Sequence, residues 1–130
     1  MRKKILIVDD SNTVLLMEKM ILGKHPFDIV VAHNGAEAVV KAAQELPDAI
    51  LMDVMMPQMN GLDACLEIKR AASTAHIPII LVTTRGESAN IEQGYTNGCA
   101  DYVTKPINAP ELIAKLQNVL AAAVAEPSVS

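Results

Sequence analysis

Four stretches of the chain are apolar throughout: Ile5-Leu6-Ile7-Val8, Ile29-Val30-Val31-Ala32, Ala49-Ile50-Leu51-Met52 and Ile77-Pro78-Ile79-Ile80-Leu81-Val82. Tyr102-Val103-Thr104 makes a shorter fifth. Strands that are apolar on both faces belong to a parallel sheet covered by helices on either side. Pro78 stands at the beginning of its run, where a missing N–H is tolerated. Between the runs the period becomes helical. Ala36, Val39, Val40 and Ala43 follow the i, i+3, i+4, i+7 spacing, and Leu62, Cys65 and Leu66 begin the same pattern. Leu112, Leu116, Val119 and Leu120 form another stripe, with Ile113 beside it.

Three of these helices open alike, with Asn34, Asn60 or Asn108 followed three residues later by Glu37, Asp63 or Glu111. Asn at the N-cap and an acid at N3 satisfy free backbone N–H groups and complement the helix dipole. Residues 87–97 offer only Ala89, Ile91 and Tyr95 as apolar anchors, with Gly94 inside the segment. This predicts the most loosely held helix of the domain, stopped by Gly98. The alternation gives an α/β domain of (βα)5 type.

Composition narrows the function. The chain has 130 residues, and its 11 Lys and Arg against 15 Asp and Glu give a net charge of −4. One domain over residues 1–125 is expected, with 126–130 a C-terminal tail or the start of a linker. Direct nucleic-acid binding, which needs clustered Lys and Arg, is not expected of an acidic chain. No apolar run reaches the roughly 18 residues of a membrane span. The first apolar run ends at Asp9-Asp10, short of a signal-peptide core. Cys65 and Cys99 lack C-x-x-C spacing, so a reducing cytoplasm is the expected setting.

In open parallel sheets chemistry gathers at the carboxyl ends of the strands. Here those ends carry Asp9-Asp10, Asp53, Thr83-Thr84 and Lys105-Pro106. Two carboxylates about 4 Å apart repel by roughly 4 kcal/mol at an effective dielectric of 20. Three need cations beside them: Lys105 supplies one charge, and oxygen-only ligands suit Mg²⁺, or Mn²⁺ in its place. His25, His33 and His76 lie off the strand ends and read as ordinary surface or loop residues. A single Asp after a strand is ordinarily a helix N-cap, and Asp10 beside Ser11 fits that reading alone. The set taken together points to a site. Met52, Met55, Met56 and Met59, like Cys65 and Cys99, are explained by packing.

With Ile5-Leu6-Ile7-Val8-Asp9-Asp10, Asp53-Val54-Met55-Met56-Pro57-Gln58-Met59-Asn60-Gly61 and Asp101-Tyr102-Val103-Thr104-Lys105-Pro106, the chain resembles the receiver domains of two-component response regulators. The resemblance runs from Lys4 to about Leu120. It implies a flavodoxin-like three-layer sandwich with a parallel five-stranded sheet of order 2-1-3-4-5. It also implies that Asp53 takes a phosphoryl group from a histidine kinase or phosphotransfer protein and later releases it. Asp9, Asp10, Asp53 and the Met55 carbonyl would hold Mg²⁺, Thr83 and Lys105 would contact the phosphoryl oxygens, and Tyr102 would change rotamer on activation. A downstream protein target or an output domain would read the change at the fourth helix, fifth strand and last helix, with phosphorylation-dependent homodimerisation left open. By the same resemblance, Met55 and Arg85 would stand near the path of attacking water, where they would bear on the phosphoryl lifetime. Thr84 and Cys99 replace frequent alanines, and Ile107 a frequent phenylalanine.

Other classes fit less well. A flavodoxin-type electron carrier needs a phosphate loop where Asp9-Asp10 would repel the flavin phosphate, and flanking aromatics that one Phe, two Tyr and no Trp hardly supply. A phosphatase of the haloacid-dehalogenase type carries its nucleophile in a D-x-D motif after the first strand, whereas these aspartates are adjacent. Two variants of the receiver reading remain: a module of a longer regulator, and a pseudo-receiver that signals by binding alone.

Overall fold

The computed structural model describes residues 2–84 and 87–125. Strands and helices alternate strictly: β1 (Lys3–Val8), α1 (Asn12–Leu22), β2 (Phe27–Ala32), α2 (Gly35–Glu45), β3 (Ala49–Asp53), α3 (Gly61–Arg70), β4 (Ile79–Thr84), α4 (Ser88–Thr96), β5 (Asp101–Lys105) and α5 (Ala109–Ala125). The strands form one parallel sheet in the order β2-β1-β3-β4-β5. Strand β3 is buried at every residue, whereas the edge strands β2 and β5 are largely half-buried. An edge strand has one neighbour, so its apolar run is covered less completely than that of a central strand.

Alternation along the strands divides the core in two. Ile5, Ile7, Ala49, Leu51, Ile80, Val82 and Val103 face α1 and α5, where Leu15, Leu22, Leu112 and Leu116 complete the layer. Leu6, Val8, Ile50, Met52, Ile79 and Leu81 face the other side and pack with Ala38, Ala42, Ala64, Cys65 and Ile68. Each face of the three-layer sandwich therefore has its own apolar cluster.

The three asparagine caps form as their spacing predicts. Asn34 Oδ1 accepts from Glu37 N at 2.8 Å, Asn60 Oδ1 from Asp63 N at 2.9 Å, and Asn108 Oδ1 from Glu111 N at 2.9 Å. The stripe on α5 is also as expected: Leu112, Leu116, Val119 and Leu120 are all buried.

The stripe on α2 is displaced by one residue. Gly35, Ala38 and Ala42 are buried with Val39 packed at their side, whereas Ala36, Val40 and Ala43 are exposed. The helix starts hard against the loop after β3: Gly35 N donates to Met59 O, and a Cβ on Gly35 would meet that oxygen at 2.3 Å. Only the smallest side chains fit so close an approach, and the larger Val40 is turned outward. A similar shift on α3 buries Gly61, Ala64, Cys65 and Ile68, with Leu62 and Leu66 half-buried.

Helix α4 is held even more lightly than its sequence suggests. Gly94 is its one buried residue, Ala89 is exposed, and Tyr95 is 47% exposed. It has no side-chain N-cap bond. Gly98 follows its end at φ 102°, a left-handed conformation that glycine adopts without strain. Strand β4 begins at Ile79, so Ile77 and Pro78 precede it, and the Pro78 carbonyl accepts from Ile50 N.

Candidate functional site

The sheet order reverses between β1 and β3, and both strands deliver a carboxylate to the crevice outside their carboxyl ends. Asp9 continues the inward row Ile5, Ile7; Asp53 ends the row Ala49, Leu51; Lys105 ends the row that holds Val103. A period of two thus places all three polar side chains on the α1/α5 face. Lys105 Nζ lies 3.2 Å from Asp53 Oδ1 and 3.4 Å from Asp9 Oδ2. Oxygens of Asp9, Asp10 and Asp53 all lie within 4.8 Å of one another. Lys105 precedes Pro106 through a cis peptide bond.

Local bonds hold Asp9 in place. Its backbone N donates to Ala32 O at 3.2 Å, and its Oδ1 accepts from Ser11 N at 2.9 Å. Ser11 is itself the N-cap of α1, accepting from Val14 N at 3.3 Å. Asp10 is therefore not the cap, and its exposed carboxylate is left to the pocket.

Asp9 is 1% exposed and Asp53 4% exposed, so their charges are poorly solvated. Burial, then the neighbouring Asp9, push Asp53 up to about 6 in spite of Lys105. Burial also raises Asp9, against the bonds from Ser11 and Lys105. For Lys105 burial alone would lower the pKa, but the two carboxylates outweigh it and hold the ammonium above its ordinary value. One ammonium among three carboxylates leaves the pocket short of positive charge. An oxygen-only donor set with excess negative charge fits a hard divalent cation. Among the described residues no other cluster of three His, Cys, Asp or Glu side chains has this geometry.

The remaining expected residues sit around this centre. Thr83 is 2% exposed, one step beyond the level of Asp53, because Asp53 pairs with Val82 in the β3–β4 ladder. By alternation with Ile79 and Leu81 its side chain belongs to the α2/α3/α4 face, and its Oγ1 reaches Thr84 O at 3.5 Å rather than a carboxylate. Met55 is 65% exposed, unlike the core methionines Met52 and Met56. Tyr102 is half-buried on β5. Its ring meets Tyr95 of α4 edge-on at 6.3 Å, and Lys115 Nζ of α5 stands 4.6 Å from its centroid. Arg85 lies outside the described residues.

Gly61 shapes the loop behind the pocket. Its N donates to Val54 O at 2.9 Å, and a Cβ there would meet Asp53 O at 2.2 Å.

Glu18 escapes a reading confined to strand ends. It lies between Leu15 and Leu22 on the sheet-facing row of α1, is 1% exposed, and its Oε1 has no hydrogen-bond partner among the described residues. The signal in the sequence is an acid at a core position of an otherwise apolar helical row.

Comparison with known proteins agrees with this geometry. Protein PilH of Pseudomonas aeruginosa is 40% identical over 118 residues, 91% of this chain and 98% of PilH. The transcriptional regulatory protein ResD of Bacillus subtilis is 37% identical over 90% of this chain, which spans only 48% of ResD. Among solved structures, the receiver domain of the sensor histidine kinase PA1611 from P. aeruginosa, with a magnesium ion coordinated in its active-site cleft, has a TM-score of 0.86 at 28% identity, covering 93% of this chain and 99% of that one. The family model described as response regulator receiver domain matches residues 5–117. A parallel sheet of order 2-1-3-4-5, carboxylates at its switch point and a match over most of the chain agree: this protein belongs to the response regulator receiver family of two-component signalling.

Proposed function

We propose that this receiver domain accepts a phosphoryl group on Asp53 in a Mg²⁺-dependent reaction, with the phosphohistidine of a histidine kinase or phosphotransfer protein as donor. The observation that carries the reading is the grouping of Asp9, Asp10 and Asp53 within 4.8 Å, with Lys105 Nζ 3.2 Å from the Asp53 carboxylate. An Asp53 oxygen attacks phosphorus, the P–N bond to the donor histidine breaks, and the imidazole keeps the electron pair and takes up a proton. The product is an acyl phosphate, reactive enough to hydrolyse later.

Phosphoryl transfer asks for in-line positioning and for cancellation of charge on the equatorial oxygens. Asp9, Asp10, Asp53 and the Met55 carbonyl are the groups that would hold Mg²⁺, which when bound supplies charge neutralisation that one lysine cannot. Lys105 is already 3.2 Å from Asp53 and is placed to follow the new phosphoryl oxygens. Thr83, buried at the end of β4, has a hydroxyl bound only weakly to Thr84 O and free to re-orient toward a phosphoryl oxygen. The magnesium in the related P. aeruginosa receiver domain supports the choice of ion.

The output face we assign is α4, β5 and α5. It has the least anchored helix, and there Tyr95, Tyr102 and Lys115 link the three elements. We further assign the receiver unit to residues 1–125 and its working compartment to the cytoplasm; no helix among the described residues is long and apolar enough to cross a membrane. A downstream protein or an output domain reads this face.

The test is intact mass after incubation with acetyl phosphate, with and without Mg²⁺, on the wild type and Asp53→Asn. A single Mg²⁺-dependent adduct absent from the variant supports the reading. No adduct on the wild type overturns it in favour of a pseudo-receiver that acts by binding.

A further inference from the structure

We propose that Glu18 is a positioning residue of the cation site: its buried carboxyl strengthens the hold of Asp9, Asp10 and Asp53 on a divalent cation, at the expense of fold stability. This rests on the reading of the three aspartates as a cation site.

The packing of α1 supplies the first argument. Leu15, Glu18 and Leu22 are the buried residues of the helix and form its sheet-facing row, so an apolar side chain is what the fold alone would select at position 18. The carboxyl is instead 1% exposed, with Oε1 buried and unpartnered among the described residues. Such a group is a liability to the fold unless something else keeps it there.

Its neighbours say what that is. Glu18 enters the same α1/α5 layer into which strand alternation directs Asp9, Asp53 and Lys105. Among the described residues, these three are the charged groups whose fields act on it. Burial first, then Asp9 and Asp53, push Glu18 up to about 8, and Lys105 opposes them. Coupling of this kind is reciprocal. A dication that offsets the charges of Asp9 and Asp53 favours the ionised Glu18 carboxylate, and that carboxylate in turn favours the dication. Glu18 lies outside the set of oxygens within 4.8 Å, so it acts through the field and not as a direct ligand.

The experiment is isothermal titration of Mn²⁺ and of Mg²⁺ into the full chain at pH 8, for wild type, Glu18→Gln and Glu18→Leu, beside thermal unfolding of each in EDTA. Glu18→Gln keeps the shape and removes the charge, so a purely structural role would leave its cation affinity at the wild-type value. The expected result is about fivefold weaker binding in both variants, with Glu18→Leu melting above the wild type in EDTA. Wild-type affinity in a folded Glu18→Gln overturns the inference while leaving the cation site intact. A wild type that binds neither ion overturns both readings. Should Glu18→Leu fail to fold, Glu18→Gln alone decides.

Discussion

Lys105 Nζ stands between two buried carboxylates, 3.2 Å from Asp53 and 3.4 Å from Asp9, as the only ammonium described beside them. It couples the end of β5 to the switch point of the sheet. Lys105→Ala leaves both carboxylates without it, and should cost roughly 2–4 kcal/mol at pH 8. The cost should shrink at pH 5, below the Asp53 value of about 6, where Asp53 is largely neutral. Urea unfolding at the two pH values checks this.

Asp53→Asn should abolish the phosphoryl adduct and yet stabilise the cation-free fold. The raised Asp53 pKa means that its charged form is disfavoured in the native state. Removing that charge at pH 7 should gain roughly 1–3 kcal/mol in EDTA. The stabilisation by added Mg²⁺ should shrink in the same variant. Thermal melts in EDTA and in Mg²⁺ test both halves of the expectation.

A third prediction concerns pH. An unfolded Glu ionises near 4.5, whereas Glu18 in the fold keeps its proton up to about 8. The native state binds the extra proton across this interval, so stability falls as pH rises through it and the loss is complete above the upper value. Asp53 contributes similarly, but only up to about 6. Between pH 6 and 8 the wild type should therefore lose roughly 1 kcal/mol per pH unit through Glu18. Glu18→Gln should be flatter by that amount, as denaturant midpoints at three pH values would show.

Gly61→Ala tests the loop that supports Asp53. The added Cβ would meet the Asp53 carbonyl oxygen at 2.2 Å, and backbone cannot yield as a flexible side chain does. Either Asp53 or the start of α3 must move. A loss of roughly 2 kcal/mol or more is expected, with slower adduct formation on acetyl phosphate measured by mass.

Lys115→Ala should loosen the output face without touching the pocket. Lys115 bonds Tyr102 O, pairs with Asp101 at 3.4 Å and lies over the Tyr102 ring. The stability cost should be about 1 kcal/mol, with faster amide exchange in residues 95–105. Phosphorylation of the wild type should also alter exchange across residues 87–108, and unchanged exchange there would place the output face elsewhere.

The strands and the pocket were legible because each depends on a short-range rule. An unbroken apolar run marks a strand covered on both faces, and an acid or lysine at its carboxyl end is delivered to the crevice by the parallel direction of the sheet. Asp9, Asp53 and Lys105 needed only that rule. The asparagine caps needed only contacts three residues apart.

Helical faces were harder to read from spacing. On α2 a pattern of apolar residues selected Ala36 and Val40, but the close approach of Gly35 to Met59 turned the helix so that Ala38 and Ala42 are buried. Alanine is apolar enough to sit on either side, so hydrophobic spacing alone could not choose. Glu18 shows the opposite limit. Its charge argues for solvent, and only the packing of α1 on the sheet places it in the core beside the fields of Asp9, Asp53 and Lys105. The sequence by itself determined the alternation of strands and helices, their caps and the polar residues at the strand ends, because each of these is a local matter. The rotation of each helix about its axis, the partners of Tyr102 and the fate of the Glu18 carboxyl were decided by the tertiary structure, because they depend on steric fit and electric fields between segments far apart in the chain.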